Sequence, residues 1–164
     1  MKVISGAQIG ADIAGLRAAK RCDIETGGWV PAEGRIKGGF LPEDALIYYG
    51  LQPTNSPGYP MRTLNNVLDS QGTIRLAYNF ESPGERLTLK YAHAAHRPVL
   101  DVLLQKVRDE WMPCLTEEAA VKWLTHPRRN IETINIAGNA DREIEKCVEE
   151  FLIEVFEGWK AVTL

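Results

Sequence analysis

Residues 4–12 read ISGAQIGAD, and the fold turns on how this stretch is parsed. Upstream, Met1 to Ser5 is a short β-prone run. Downstream, Ile9 to Arg21 sets Ile9, Ile13, Leu16 and Ala18 or Ala19 at helical spacing. Gly6 and Gly10 fall in the turn between the two. Strand, glycine turn and helix in that order form the opening unit of an α/β sheet.

The same order recurs along the chain. Residues 23–30, DIETGGWV, supply a second short strand with Ile24 and Val30 as β-branched members. Arg62 to Ser70 reads as a short helix with Leu64, Val67 and Leu68 inward, and Thr73 to Tyr78 as a strand of mixed burial. The turn SPGE at 82–85 breaks the pattern before helical spacing resumes over Arg86 to His96. Pro98 to Leu104 reads as a buried strand, and Thr116 to Leu124 as a helix opened by the capping-box sequence TEEA. Thr133 to Ala137 is a last strand, followed by the turn Gly138-Asn139. Arg142 to Trp159 then places Ile144, Val148, Phe151, Leu152, Val155 and Phe156 on one side of a long helix, most simply a core stripe.

This alternation predicts a doubly wound α/β fold: one Rossmann-like domain over residues 1–164, its mostly parallel sheet sandwiched by helices. The exception is residues 31–60, where glycine or proline at ten positions forbids a long regular element. A long structured loop is expected there, of the kind that forms lids, binding loops or oligomer contacts.

At 164 residues the chain fits one domain, able to bury roughly 70% of its extended surface. Its net charge of −3 argues against a bulk electrostatic grip on nucleic acid or anionic lipid, so an anion must be held by a site. Cys22, Cys114 and Cys147 are far apart and form no CxxC pair, which supports neither a disulfide scaffold nor structural zinc. No apolar run reaches the ~18 residues of a membrane span, and MKVISGAQ lacks the marks of a signal peptide. The expectation is a cytoplasmic protein without a membrane or nucleic-acid partner.

In open parallel sheets, ligands sit outside the carboxyl ends of strands. Three turns there are rich in small or polar residues: Ser5 to Asp12, Ser82 to Glu85, and Gly138-Asn139. Small residues let a backbone approach a ligand, and the following helix points free amides at a phosphate. Gly6 and Gly10 serve equally for a tight turn and close helix packing. Their GxxxG spacing is neither GxGxxG nor a Walker sequence, which disfavours an ordinary dinucleotide fold or a P-loop ATPase.

Taken together, Ser5 to Asp12, Gly27-Gly28-Trp29 with Pro31, Arg62-Thr63 with Asn66 and Asp69, Ser82 to Thr88, Pro98 to Leu100 and Ile136 to Gly138 resemble the molybdenum-cofactor carrier family. That family falls in the Rossmann-like superfamily that includes the lysine-decarboxylase-like phosphoribohydrolases. The resemblance implies a homodimer or homotetramer that binds a phosphate-bearing, pterin- or nucleotide-like molecule, with the molybdenum cofactor (molybdopterin) as candidate ligand. By position, Gly6, Ala7, Gln8, Gly10 and Asp12 would line the first loop, and Ser82, Pro83, Gly84 and Thr88 the second; Gly138 and Asn139 close the third turn.

The chain departs from the family pattern GGQTGxD at Ala7 and Ile9, and from SGGTALTxE at Pro83, Glu85 and Lys90. Pro83 removes a backbone donor, and a Glu85 carboxylate repels phosphate unless it turns away or binds a cation. Lys90 stands where phosphoribohydrolase relatives would carry an acidic group. These departures favour a binder over an enzyme and leave two alternatives: a nucleotide phosphoribohydrolase-like enzyme, and a degenerate oligomeric relative without ligand.

Other residues carry divided readings. Asp12 either meets a ligand or favours the positive helix end, and Asn66 with Asp69 either meets the first loop or solvates a helix end. His93 and His96 lack a third ligand at metal spacing, so neither a metal nor a catalytic residue is assigned. Arg35, Lys37 and Arg62 are phosphate candidates of the long loop and its flank. Trp29 either stacks on a flat ring or packs in a core or interface.

Overall fold

The computed structural model describes residues 1–164 throughout. In chain order the elements are β1 (Lys2–Ile4), α1 (Ala11–Arg21), β2 (Glu25–Val30), β3 (Arg35–Ile36), β4 (Gly39–Phe40), α2 (Glu43–Tyr49), β5 (Leu51–Pro53) and α3 (Tyr59–Leu68). There follow β6 (Gly72–Ala77), α4 (Pro83–Ala94), β7 (Val99–Val107), β8 (Glu110–Pro113), α5 (Glu117–Leu124), β9 (Thr133–Gly138) and α6 (Glu145–Thr163). Seven strands form one sheet in the order β5-β2-β1-β9-β6-β7-β8, and β3–β4 is a separate hairpin. All neighbours in the large sheet run parallel except β7 and β8. Helices α1, α5 and α6 pack together on one face, and α3 pairs with α4 on the other. The fold is the doubly wound, Rossmann-like α/β domain that the alternation predicts.

The two faces differ in chemistry. A cluster of 21 buried apolar residues lies under α1, α5 and α6, and it takes in all six residues of the predicted α6 stripe. Along β6, Ile74 and Leu76 join that cluster, whereas Thr73 and Arg75, which alternate with them, point to the opposite face, as the two-residue strand period requires. Asn135 on β9 donates to Thr73 there at 3.3 Å. The face under α3 and α4 is therefore partly polar, and that is the face that opens into the site.

Five expectations change. β6 is buried along its whole length rather than mixed. Helix α4 begins at Pro83, so SPGE is its first turn and not a break; proline suits that position because its missing N–H would have no helical acceptor. On α3, Thr63, Asn66 and Val67 face inward, while Leu68 is exposed. Strand β7 runs on to Val107 and returns as β8 through Arg108-Asp109, both at positive φ, a tight hairpin turn written without its usual glycine. The 31–60 segment is not loop throughout: it holds the β3–β4 hairpin and α2, and β5 joins the sheet edge beside β2.

Candidate functional site

From the sheet centre the chain winds outward in both directions, from β1 to β2 and from β6 to β7, with β9 filling the place between β1 and β6. This is the topological switch point, where loops on either side diverge and leave a crevice. A pocket of about 390 Å³ opens there, at the carboxyl ends of β1, β6 and β9. Gln8, Asp12, Ser82, Gly84, Thr88, Gly138 and Asn139 line it; Gly6, Ala7 and Gly10 do not. Lys37, Tyr59, Arg62, Tyr78 and Glu85 complete the polar and aromatic wall.

The first loop is occupied by the protein itself. Arg62 of α3 lies across Gly6, in the space that the Cβ of any other residue would fill. Its Nη1 donates to Asp12 Oδ2 at 3.2 Å. Gly10 has φ 90° and abuts the backbone of Asn139 and Asp141, so it closes the loop onto the β9–α6 turn. Three amides at the start of α1 are taken: Gly10 N donates to Glu145 Oε1 at 2.9 Å, Ala11 N to Asn139 O at 3.2 Å and Ile13 N to Gln8 O at 3.1 Å. Both glycines serve packing, and most of this helix end is satisfied by the protein's own acceptors.

The start of α4 is built differently. Ser82 makes no side-chain cap bond, and Pro83 has no N–H to offer. The amides of Gly84 and Glu85 belong to the first turn, which has no intrahelical acceptors. A Cβ at Gly84 would meet nothing within 4 Å, so open space lies beside these donors.

Two lining side chains act as fasteners. Asn139 Oδ1 accepts from the amides of Tyr78 and Asn79 at 2.9 and 3.0 Å, and its Nδ2 donates to Asn79 O at 2.9 Å. That clamp fixes the β6–α4 loop to the end of β9. Gln8 Nε2 donates to Arg35 O at 3.1 Å, and its Oε1 accepts from Lys37 N at 3.0 Å. The β3–β4 hairpin is thereby tied to the first loop, which brings Lys37 to the pocket while the Arg35 side chain stays outside it.

Beneath the pocket lies a buried charged cluster that the sequence did not announce. Arg75, 1% exposed, donates through Nε and Nη2 to Asp101 at 2.8 and 2.7 Å and through Nη1 to Glu85 O at 2.8 Å. Its Nη1 stands 3.7 Å from Glu85 Oε2, so the Glu85 carboxylate turns toward a cation, one of the two ways it can coexist with an anion. Glu85 is nonetheless 3% exposed, and Oε2 has no hydrogen-bond partner. Burial pushes its carboxyl up to about 7 against the pull of Arg75, and the Asp12 and Asp101 carboxylates add to the rise. Burial also raises Asp12, although Arg62 and the Gln8 amide favour its charged form. The one sequence signal for Arg75 is a lone arginine inside a central strand, TIRLAY, where a charge demands a partner.

The remaining candidates lie elsewhere. Asn66 grips the backbone of Trp29, accepting from its N at 2.8 Å and donating to its O at 3.0 Å, and Asp69 accepts from Trp29 Nε1 at 2.7 Å. Neither meets the first loop, and Trp29 does not line the pocket. His93, His96 and Lys90 are exposed on or beside α4 and also lie outside it. The acid missing at Lys90 therefore says nothing about the chemistry of this pocket.

Fold and crevice define a single-domain Rossmann-like protein with an open pocket at the switch point of its sheet. Residues 3–156 match the model of the Circularly permutated YpsA SLOG family, and the chain belongs to that family. Its structure is similar to a crystal structure described as a "Putative molybdenum carrier protein" from Syntrophus aciditrophicus SB. The two share 35% identity at a TM-score of 0.77, over 94% of this chain and 93% of the other. No curated protein matches the sequence. No helix is long and apolar enough to cross a membrane.

Proposed function

We propose that this protein is a binding or carrier protein for a phosphate-bearing small molecule of the molybdopterin or nucleotide class. The anionic group sits at the amino end of α4, between Gly84 and the cations Lys37 and Arg62. The observation that carries this reading is the uncapped first turn of α4, its amides unopposed beside open space in the switch-point crevice. Tyr59 and Tyr78 offer aromatic surface for the ring system of such a ligand. The name of the similar crystal structure supports the molybdenum-cofactor class. The family resemblance extends the reading to a homodimer or homotetramer, which light scattering tests; a monomer at working concentration would refute it.

Native mass spectrometry of freshly purified protein weighs a retained ligand, and calorimetry with molybdopterin and with GMP measures its binding. Gly84→Asp places a carboxylate in the open space without a clash and should weaken binding at least tenfold while preserving the fold. Wild-type protein that binds none of these ligands, or a variant that binds them as well, overturns the assignment.

A second reading, hydrolysis of an N-glycosidic bond in a nucleoside monophosphate, draws on Glu85, a pocket carboxyl held near neutrality as acid–base chemistry needs. Release of free base by the purified protein would establish it, and loss of that release in Glu85→Gln would place the chemistry at this residue.

A further inference from the structure

The cluster at the pocket floor, buried except for the half-exposed Asp101 side chain, has an odd count of charges. Asp12 of α1 is hydrogen-bonded to Arg62 of α3, and Asp101 of β7 is hydrogen-bonded twice to Arg75 of β6. Glu85 of α4 is the third carboxyl, facing two guanidiniums already engaged, and β9 between them contributes no charged residue. With all five groups ionised the cluster carries −1, and with one proton it is neutral; the sixth charge of the pocket, Lys37, is exposed, turns its ammonium to Ala140 O at 3.5 Å and stands outside the cluster. The proton belongs on Glu85, whose Oε2 alone among the carboxylate oxygens of this cluster is buried without a hydrogen bond.

We propose that Glu85 makes anion binding in this pocket proton-coupled: an anion enters the α4 site with one proton taken up at Glu85, so the pocket admits anions below neutrality and rejects them above it. This rests on the α4 site of the preceding reading. An anion beside the Glu85 amide lies close to the Glu85 carboxyl, and a second negative charge there disfavours an ionised carboxylate that is already buried. The buried carboxyl, already raised to about 7, yields by taking a proton. Arg75 cannot relieve the conflict by moving, because Asp101 and the Glu85 carbonyl hold its three donors. Asp12 and Glu85 interact, so the uptake is a property of the pair, with Glu85 the member that lacks a hydrogen-bonded cation.

Sulfate is the clean probe, since it does not titrate near neutrality. Its affinity, measured by calorimetry on the intact protein, should fall about tenfold from pH 6 to pH 8. Binding at pH 7 should show fractional proton uptake when buffers of different ionisation enthalpy are compared. Glu85→Gln keeps the shape, removes the charge, and should bind sulfate with an affinity that changes less than twofold over the same range. A wild-type affinity that is flat with pH, or a variant that keeps the tenfold fall, overturns the proposal. A second measurement stands apart from any ligand: the ¹³C carboxyl resonance of Glu85 in the free protein should titrate near 7, and a midpoint below 5 overturns the coupling whether or not an anion binds. If Glu85 titrates near 7 but no anion binds either protein, both the anion site and the coupling built on it fall, while the protonation of the buried cluster stands.

Discussion

Replacing Arg75 by methionine tests the buried cluster most directly. The substitution keeps a long side chain and removes three donated hydrogen bonds, two to the Asp101 carboxylate and one to the Glu85 carbonyl. Removing one partner of a buried ion pair costs about 3–5 kcal/mol, chiefly because the other charge is stranded. Here the two stranded partners behave differently. The Asp101 side chain is 46% exposed and can turn to water, which brings the expected loss to the lower end, about 3 kcal/mol. Glu85 has no such exit.

Its pH response has a definite sign. In the folded protein the Glu85 carboxyl is raised from 4.5 to about 7. The stability contributed by its protonated form is complete below 4.5 and is lost as pH rises through 7, about 3 kcal/mol in all for the wild type. Without Arg75 the carboxyl rises further, and each added unit costs about 1.4 kcal/mol more at alkaline pH and nothing at acid pH. Urea unfolding followed by tryptophan fluorescence should therefore give Arg75→Met a loss of about 3 kcal/mol at pH 6 that grows by about 1–2 kcal/mol at pH 8.5. A loss below about 1 kcal/mol at both pH values, or one that does not change with pH, would refute the account of the cluster.

Three further outcomes follow from the same structure. Asn139→Ala orphans the Tyr78 and Asn79 amides and should cost about 2–3 kcal/mol in urea unfolding, with the β6–α4 loop losing hydrogen-exchange protection. Gly10→Ala sets a side chain at φ 90° against the backbone of Asn139 and Asp141, and should cost about 3 kcal/mol or more by thermal melting; a change below 1 kcal/mol would show that the loop can rearrange. Burial raises the Cys22 thiol to about 12 and the Cys147 thiol to about 11, whereas Cys114 is exposed, so a disulfide reagent at pH 8 should titrate Cys114 in the native protein and the other two after unfolding.

Much of the frame is legible in local sequence, because period and punctuation act over a few residues. The α6 stripe at Ile144, Val148, Phe151, Leu152, Val155 and Phe156 follows a helical period and is buried at every position. The N-cap at Thr116 forms, with Thr116 Oγ1 accepting from Ala119 N at 3.3 Å, but alanine at the third helical position returns no bond, so the reciprocal half of the expected capping box is missing. The three glycine- or serine-bearing turns lie after strands, and seven of the eleven residues singled out there line one pocket. Where local signals mislead, the cause is also local: Pro83 looks like a break because proline both ends and starts helices, and Arg108-Asp109 hides a hairpin because neither residue is glycine.

Which side chains occupy that pocket is set by long-range placement. Inserting β9 between β1 and β6 brings Asn139 onto the β6–α4 loop, 60 residues away in sequence. The parallel register of β6 and β7 puts Arg75 opposite Asp101, and the packing of α3 lays Arg62 over Gly6. The sequence by itself determined the α/β frame and the turns that line the pocket, since hydrophobic period and turn chemistry are short-range. Only the tertiary structure decided that the α1 turn is filled by the protein's own arginine and that the free donors belong to α4, because strand order and register set which charges meet in the low-dielectric interior.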